Sequence, residues 1–235
     1  MNGRLQRRSV ALVAIALTCT AYLTPLAAQS TAGDSLLDRA AQTLSAGRPV
    51  RANFEQTLTN PDVRQTRTAR GEFAQQGPSK FAFRFTDPAG DAIVADGAAI
   101  WVYLPSSARG QVLKLPIAQG AQLDLITNLL TLPRANYAVT ERPVGEIGGN
   151  AVSVFVLTPK AANAPFTKAT LWIDRDNAVV RQLEAVELSG LVRRIRFTNV
   201  RTDGELPTAM LMFVVPAGVK VLDASGLLGG IKPPR

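Results

Sequence analysis

Side chains able to do covalent or metal chemistry are scarce in this sequence. Histidine is absent from all 235 residues, and the sole cysteine is Cys19. His-based triads, haem ligation by histidine and the usual zinc sets are therefore excluded, and most hydrolase chemistry goes with them. Carboxylates or a Ser/Lys pair remain as candidates. Ser79-Lys80 is adjacent, which on a strand sends the two side chains to opposite faces and suits a hairpin shoulder. Asp174-Arg175-Asp176-Asn177 has the acidic spacing that opens a calcium loop, but Gly at the sixth position and Glu at the twelfth are missing, so it reads as a β-turn. Gly145 and Gly148-Gly149-Asn150 lie between strand-like runs with no helix after them, which makes them turns rather than a phosphate cradle. No cofactor, metal or enzymatic activity is expected.

What the chain has in quantity is apolar side chains at strand spacing. In residues 71–105, Phe81, Phe83 and Phe85 alternate with Ala82, Arg84 and Thr86, the pattern of a strand with one greasy face. Asp87-Pro88-Ala89-Gly90 and Asp96-Gly97 supply turns on either side of an apolar run, so the stretch reads as a β-meander. Further strands are expected at residues 50–59, 63–75, 97–104, 111–115, 137–142, 151–158, 166–174, 179–187, 191–201 and 210–215. The run from Val152 to Leu157 is apolar on both faces and should be covered on both sides.

Two segments break the period of two. Leu36, Leu37, Ala40, Ala41 and Leu44 form a helical stripe, with Asp34 placed to cap it and Gly47 and Pro49 to end it. Between Gly120 and Pro133, Leu123, Leu125, Ile126, Leu129, Leu130 and Leu132 are too closely spaced for a half-exposed strand and suit a short helix. That helix is either a core element packed on the sheet or a greasy lid over a cavity.

Residues 1–28 read as a cleaved secretory signal: Arg4, Arg7 and Arg8, an apolar core from Val10 to Leu17, and Leu26-Ala27-Ala28 as the cleavage site. Cys19 lies where a lipoprotein signal would carry its acylated residue, but Ala16 and Thr18 fit that signal poorly. A mature chain starting at Gln29 would have no disulfide and would be exported, to the periplasm in a bacterium. Residues 29–222 are expected to form one domain and residues 223–235 a flexible tail. Removing Arg4, Arg7 and Arg8 from a net charge of +8 leaves +5. Arg193, Arg194, Arg196 and Arg201 cluster on one segment, which reads either as a solvated face or as an attraction to anionic headgroups or an acidic partner. Nucleic acid is not expected as a partner.

Phe54-Glu55-Gln56, Gly71-Glu72-Phe73, Gly77-Pro78, Phe81-Ala82-Phe83, Asp96-Gly97, Trp101-Val102-Tyr103 and Gln111-Val112 follow one another in an order that resembles the periplasmic outer-membrane lipoprotein carrier family, LolA. Leu157-Thr158-Pro159-Lys160 and the run from Phe213 to Val219 resemble its later landmarks. The resemblance implies a mainly β fold with a few α-helices: an unclosed antiparallel β-barrel with a helical lid over an apolar cavity. It further implies a monomeric carrier of acylated lipoproteins that loads from an inner-membrane LolCDE-like transporter and delivers to a LolB-like receptor. On that basis Phe54, Phe81, Phe83, Phe85, Ile93, Leu171, Ile173, Leu211 and Phe213 are the candidate cavity lining, with Leu125, Ile126 and Leu129 on the lid. Many members have Arg-Pro where this chain has Gly77-Pro78, and that arginine is associated with holding the lid closed. A lipoprotein-sensing module of the same fold, similar to RseB, is the alternative function.

Overall fold

A computed structural model describes residues 32–119 and 123–224. The expected signal segment with Cys19, and Leu227, Leu228 and Ile231 of the expected tail, lie outside the described residues.

The chain runs through α1 (Ala32–Ser45), β1 (Pro49–Asn60), β2 (Gln65–Gln76), β3 (Lys80–Asp87), β4 (Ala89–Asp96), β5 (Ala99–Tyr103) and β6 (Gln111–Pro116). A short 3-10 turn, α2 (Leu125–Leu130) and α3 (Pro133–Asn136) follow. The second half is β7 (Tyr137–Ile147), β8 (Asn150–Pro159), β9 (Phe166–Asp174), β10 (Val180–Glu187), β11 (Val192–Arg201) and β12 (Lys220–Asp223). Among the described residues the strands form one sheet in the order β12-β6-β5-β4-β3-β2-β1-β11-β10-β9-β8-β7. Neighbours are antiparallel except for β12, which runs parallel to β6. β7 and β12 stand at opposite ends of that order, so the sheet curls around its core without closing. Antiparallel meanders need only short turns, and the chain supplies them: Gly77, Gly97, Gly148, Gly149 and Gly190 all adopt positive φ between strands.

Alternation decides what each face does. On the concave face, Phe54, Phe73, Phe81, Phe83, Ile100, Phe155, Leu171, Ile173, Leu183, Ile195 and Phe197 belong to one buried cluster together with Leu36, Leu37, Ala40 and Leu44 of α1. α1 ends where Gly47, at φ 69°, donates to Leu44 O at 3.0 Å, as a helix terminated by glycine does. The helix begins at Ala32, so Asp34 lies within its first turn rather than before it. β2, whose polar and charged run suits an edge or solvent-facing strand, is not an edge: it is hydrogen-bonded on both sides, by β1 and β3, while Gln65 to Thr68, Arg70, Glu72 and Gln76 face solvent.

The convex face holds the main departure. Residues 210–215, expected as a strand, instead follow a 3-10 turn at Thr208–Leu211 and cross the back of β2–β4. Ala74, Ala82 and Ala92, the small members of the alternation, make a seat there for Leu206, Met210, Leu211 and Phe213. Phe213 stacks on Trp101 at 5.6 Å and tilts against Tyr103 at 5.7 Å. Arg84 fastens the segment by main-chain carbonyls: Nε donates to Met210 O (3.3 Å), and Nη2 to Ala209 O (3.1 Å) and Met212 O (2.7 Å). Beyond it, Asp223, expected in the flexible tail, belongs to β12, and Ala224 is buried.

Charge-assisted hydrogen bonds contribute about 1.5–3 kcal/mol each way of counting a lost donor, and lysine lacks the planar fork. Arg84→Ala should therefore lower stability by about 2 kcal/mol and open residues 206–214 to limited proteolysis, with Arg84→Lys recovering little. Equal protease resistance of the variant and the parent would mean that apolar contacts alone hold the segment.

Candidate functional site

The aromatic cluster is the centre of the concave face. Phe54 meets Phe83 and Phe85 edge-on, with ring centroids 5.1 Å apart in both pairs, and Phe73 lies 4.8 Å from Phe83 and 4.9 Å from Phe197. Edge-to-face packing satisfies the ring quadrupoles without any polar partner. Gly71 makes it possible: it stands opposite both Phe54 and Phe85 in the ladder, and a Cβ there would lie 2.8 Å from Phe54 Cε1 and 2.1 Å from Arg84 O. The phenylalanine rings therefore lie where a side chain at 71 would stand.

The structure brings Phe54, Phe81, Phe83, Phe85, Ile93, Leu171 and Ile173 together with Leu125, Ile126 and Leu129 of α2 in the same apolar body. Leu171 and Ile173 are fully buried in the half that α1 covers. Phe85 and Ile93 are half-buried and pack against the cluster from outside it, as do Val102, Leu115, Ile117 and Leu123; Ile93 and Val102 are cross-strand partners. Leu211 and Phe213 are not part of it; they pack on the convex side in the second cluster. Strand alternation cannot reveal this, because the two residues are not on a strand at all. Phe73, Phe155 and Phe197 belong to the concave face and were not among the candidates, although each sits on a strand at the alternation that would place it there.

α2 presents Leu125, Ile126, Leu129 and Leu130 to the interior, all buried, while Thr127 and Asn128 are half-buried and bonded to the sheet. Asp124 caps it, accepting from Thr127 N at 3.0 Å. From the sheet, buried Gln75 donates Nε2 to Thr127 Oγ1 at 3.1 Å, and Tyr137 donates its hydroxyl to Asn128 Oδ1 at 2.9 Å. Gly77 turns at φ 70° beside the end of α1, and a Cβ there would face Gly47 Cα at 3.6 Å and Leu44 O at 3.9 Å. In this chain α2 is thus held by apolar burial and neutral hydrogen bonds from Gln75 and Tyr137. Leu132, the next residue but one after α2, is 69% exposed with φ 47°, which puts a strained connection between α2 and α3.

The space inside is uneven. Between α1, α2 and the sheet the cleft lined by Leu44, Phe73, Ile126, Leu130, Val180 and Phe197 measures about 30 Å³, room for a water or two. On the other side of α2 a larger cavity of about 380 Å³ has Phe81, Ala95, Ile100 and Ile117 as an apolar floor and Asp124, Thr127 and Asn128 on its wall. On the side facing α1 the helix fills the concave face with its own apolar side chains.

Burial pushes the Asp124 carboxyl up to about 6, against the two hydrogen bonds from Thr127 that favour its charged form. Because the folded value lies above the unfolded value of 3.8, this group contributes stability that is full below about pH 4 and is lost as pH rises through about 6. Asparagine also caps helices but does not titrate. Stability measured at pH 5 and pH 7.5 should therefore show a smaller pH dependence in Asp124→Asn than in the parent, by about 1.4 kcal/mol in the difference. Identical pH profiles would mean that Asp124 is solvated in solution.

Other groups singled out in the sequence have structural duties. Asp174 Oδ1 accepts from Asp176 N and Asn177 N at 2.9 and 3.4 Å, closing the turn, and its Oδ2 is held by Arg181 at 2.6 Å. Among the described residues no group of three or more metal-ligating side chains gathers. Ser79 precedes β3 at the hairpin and lines the larger cavity. Arg193 and Arg194 pair with Glu187 and Glu184. Among the described residues no helix is long and apolar enough to cross a membrane.

A family profile described as outer membrane lipoprotein carrier protein LolA matches residues 47–214. The chain is 28% identical to the outer-membrane lipoprotein carrier protein of Dechloromonas aromatica, over 92% of this chain and 99% of that one. It is 30% identical to the protein of the same name from Chromobacterium violaceum, over 88% and 95%. Among solved structures, MucB superposes with a TM-score of 0.50 at 17% identity, covering 83% of this chain and 66% of that chain; this likeness concerns the fold alone.

Proposed function

The chain belongs to the LolA family of outer membrane lipoprotein carrier proteins, and on that premise we propose that its concave face takes up lipoprotein acyl chains in exchange for α2. The observation that carries this is the filling of the face by a short helix with four buried apolar side chains and few polar ties.

The energetics suit a carrier. Burying Leu125, Ile126, Leu129 and Leu130 is worth about 6–12 kcal/mol at about 1.5–3 kcal/mol per side chain, and a sixteen-carbon chain gains about 13 kcal/mol at roughly 0.8 per methylene. Exchange of one for the other is close to balanced, whereas an empty, permanently open cavity would bind a multi-chain anchor too tightly to let it go. Phenylalanine and leucine surfaces offer contact area without reading chain length, which is what a carrier of varied cargo requires. Phe85, Ile93, Val102 and Leu115, half-buried beyond α2, supply the point of first contact. No step in this cycle is catalytic.

The location is the periplasm, with loading from an inner-membrane LolCDE-like transporter and delivery to a LolB-like receptor. Native mass spectrometry of the mature protein with a triacylated lipopeptide and with the same peptide unacylated tests the site. One-to-one binding of the acylated form alone is expected; no binding of either by folded protein removes the acyl site.

A further inference from the structure

Acyl binding leaves the convex face of the sheet unused, and that face has an unusual composition. One cross-strand row runs Arg201, Arg51, Ala74, Ala82, Val94, Trp101, Lys114 through successive strand pairs. At one end Arg51 and Arg201 are direct partners, both exposed, and among the described residues neither has an ion-pair partner. Like charges directly opposite across a ladder repel, and one carboxylate in the same groove, Glu72, offsets only part of the pair, so this end of the row stays net positive. The ladder shifts register beside them, with Asn199 at φ 51°, and a groove of about 250 Å³ opens there between Arg51, Asn53, Asn199, Arg201, Met210 and Glu72, the last an acidic wall against two arginines.

At the other end of the row Lys114 Nζ lies 5.3 Å from the centre of the Trp101 ring, whose Nε1 donates to Asp96 Oδ2 at 2.8 Å. Between the two ends runs the segment that Arg84 fastens. It is extended after Leu211, so Leu211 and Phe213 face the sheet while Met212 and Val214 face out, 52% and 79% exposed. Cations at both ends, a tryptophan and a tyrosine, and bare apolar side chains between them are the composition of a surface that lies at a membrane interface.

We propose that the convex face is a docking surface for an anionic phospholipid bilayer, with Arg51, Arg201 and Lys114 on headgroup phosphates and Met212 and Val214 entering the acyl boundary. An acidic protein segment would match the arginines but would have no use for the outward valine and methionine. Cations near an anionic surface are attracted to it, and salt screens that attraction. Contact is consequently brief, in keeping with a protein that must leave one membrane for another.

The test is flotation of the mature protein with phosphatidylcholine vesicles and with vesicles containing phosphatidylglycerol, at low and at high salt. Binding to the phosphatidylglycerol vesicles alone, lost at high salt, is expected. Arg51→Glu/Arg201→Glu and Val214→Asp should each lower the bound fraction by about tenfold or more, with lipopeptide binding unchanged. Phe85→Glu should float like the parent, which separates surface docking from uptake of a phospholipid into the concave face. Absence of binding to either vesicle, equal binding by the surface variants, or loss of flotation in Phe85→Glu alone would each overturn the proposal.

Discussion

Phe85→Glu leaves the protein folded and weakens its binding of a triacylated lipopeptide by about 100-fold or more. Phe85 is half-buried, with the Phe54 ring edge-on against it, so a carboxylate there reaches water in the free protein. When an acyl chain lies over it, that carboxylate loses its water without gaining a partner. Such desolvation costs several kcal/mol, and each 1.4 kcal/mol is tenfold in affinity. Phe85→Leu, which keeps the apolar surface, should bind within about tenfold of the parent. Phe83→Glu is the harsher version: Phe83 is buried among Phe54, Phe73 and Phe81, and a charge there would unsettle the fold as well as the site. Titration by native mass spectrometry with circular dichroism as the fold control decides between the outcomes. Unchanged affinity in folded Phe85→Glu would take the half-buried strip out of the binding surface.

Gly71→Ala should be the most damaging single methyl in the chain. Position 71 has no positive φ to protect, so backbone strain is not the reason. The added carbon would sit 2.1 Å from Arg84 O and 2.8 Å from Phe54 Cε1, and the carbonyl is main chain, unable to swing aside. Relief requires β2 and β3 to separate where their register already shifts, between Arg70 and Gly71. Overpacking of a core costs about 1–3 kcal/mol and occasionally more, and a main-chain clash that must displace two strands belongs at the upper end or beyond. Because the same glycine makes room for the Phe54 ring, Gly71→Ala should lose about 4 kcal/mol or more in chemical denaturation and also lose lipopeptide binding. Gly149→Ala is the comparison: nothing lies within 4 Å of a Cβ there, so its cost is limited to the strain of φ 79°. A Gly71→Ala protein as stable as the parent would show that the strands adjust locally and that the phenylalanines set their own spacing.

Much of the architecture was legible because alternation is a strong signal when one sheet face is covered. The run from Phe81 to Phe85 placed three rings on one side, and the structure has them there; residues 166–174 form β9 with the same bounds. The run from Val152 to Leu157 was read as covered on both faces, and most of it is buried. The apolar density of Leu125, Ile126 and Leu129 marked a helix that faces inward. Leu211 and Phe213 were assigned to the cavity since residues 210–215 look like one more strand. Apolar alternation says that two faces differ, but it does not say that the segment is hydrogen-bonded into the sheet or which layer its apolar side meets.

Polar roles were the least legible. Arg84 and Gln75 look alike in the sequence, each a polar residue within a strand run. One lies on the convex side and ties down a distant backbone segment, and the other is buried on the concave side and reaches Thr127. Nothing local distinguishes them, because their partners are 128 and 52 residues away. Asp124 carries its helix cap in the sequence, but its raised pKa comes from burial that only the packed helix creates.

By itself the sequence determined the β-rich class, the turns, the aromatic face, the inward helix and, by lacking histidine and a second cysteine, the chemistry that is out of reach. These are local properties: side-chain period, turn residues and functional groups act within a few positions of themselves. Tertiary structure alone decided that α2 fills the face, that Gln75 and Tyr137 tie it there, that β12 joins β6, and that the convex side gathers Arg51, Arg201, Trp101 and Val214 into one surface. Each of those depends on which strands become neighbours, and neighbours in a curled sheet are set by the packing of the whole chain.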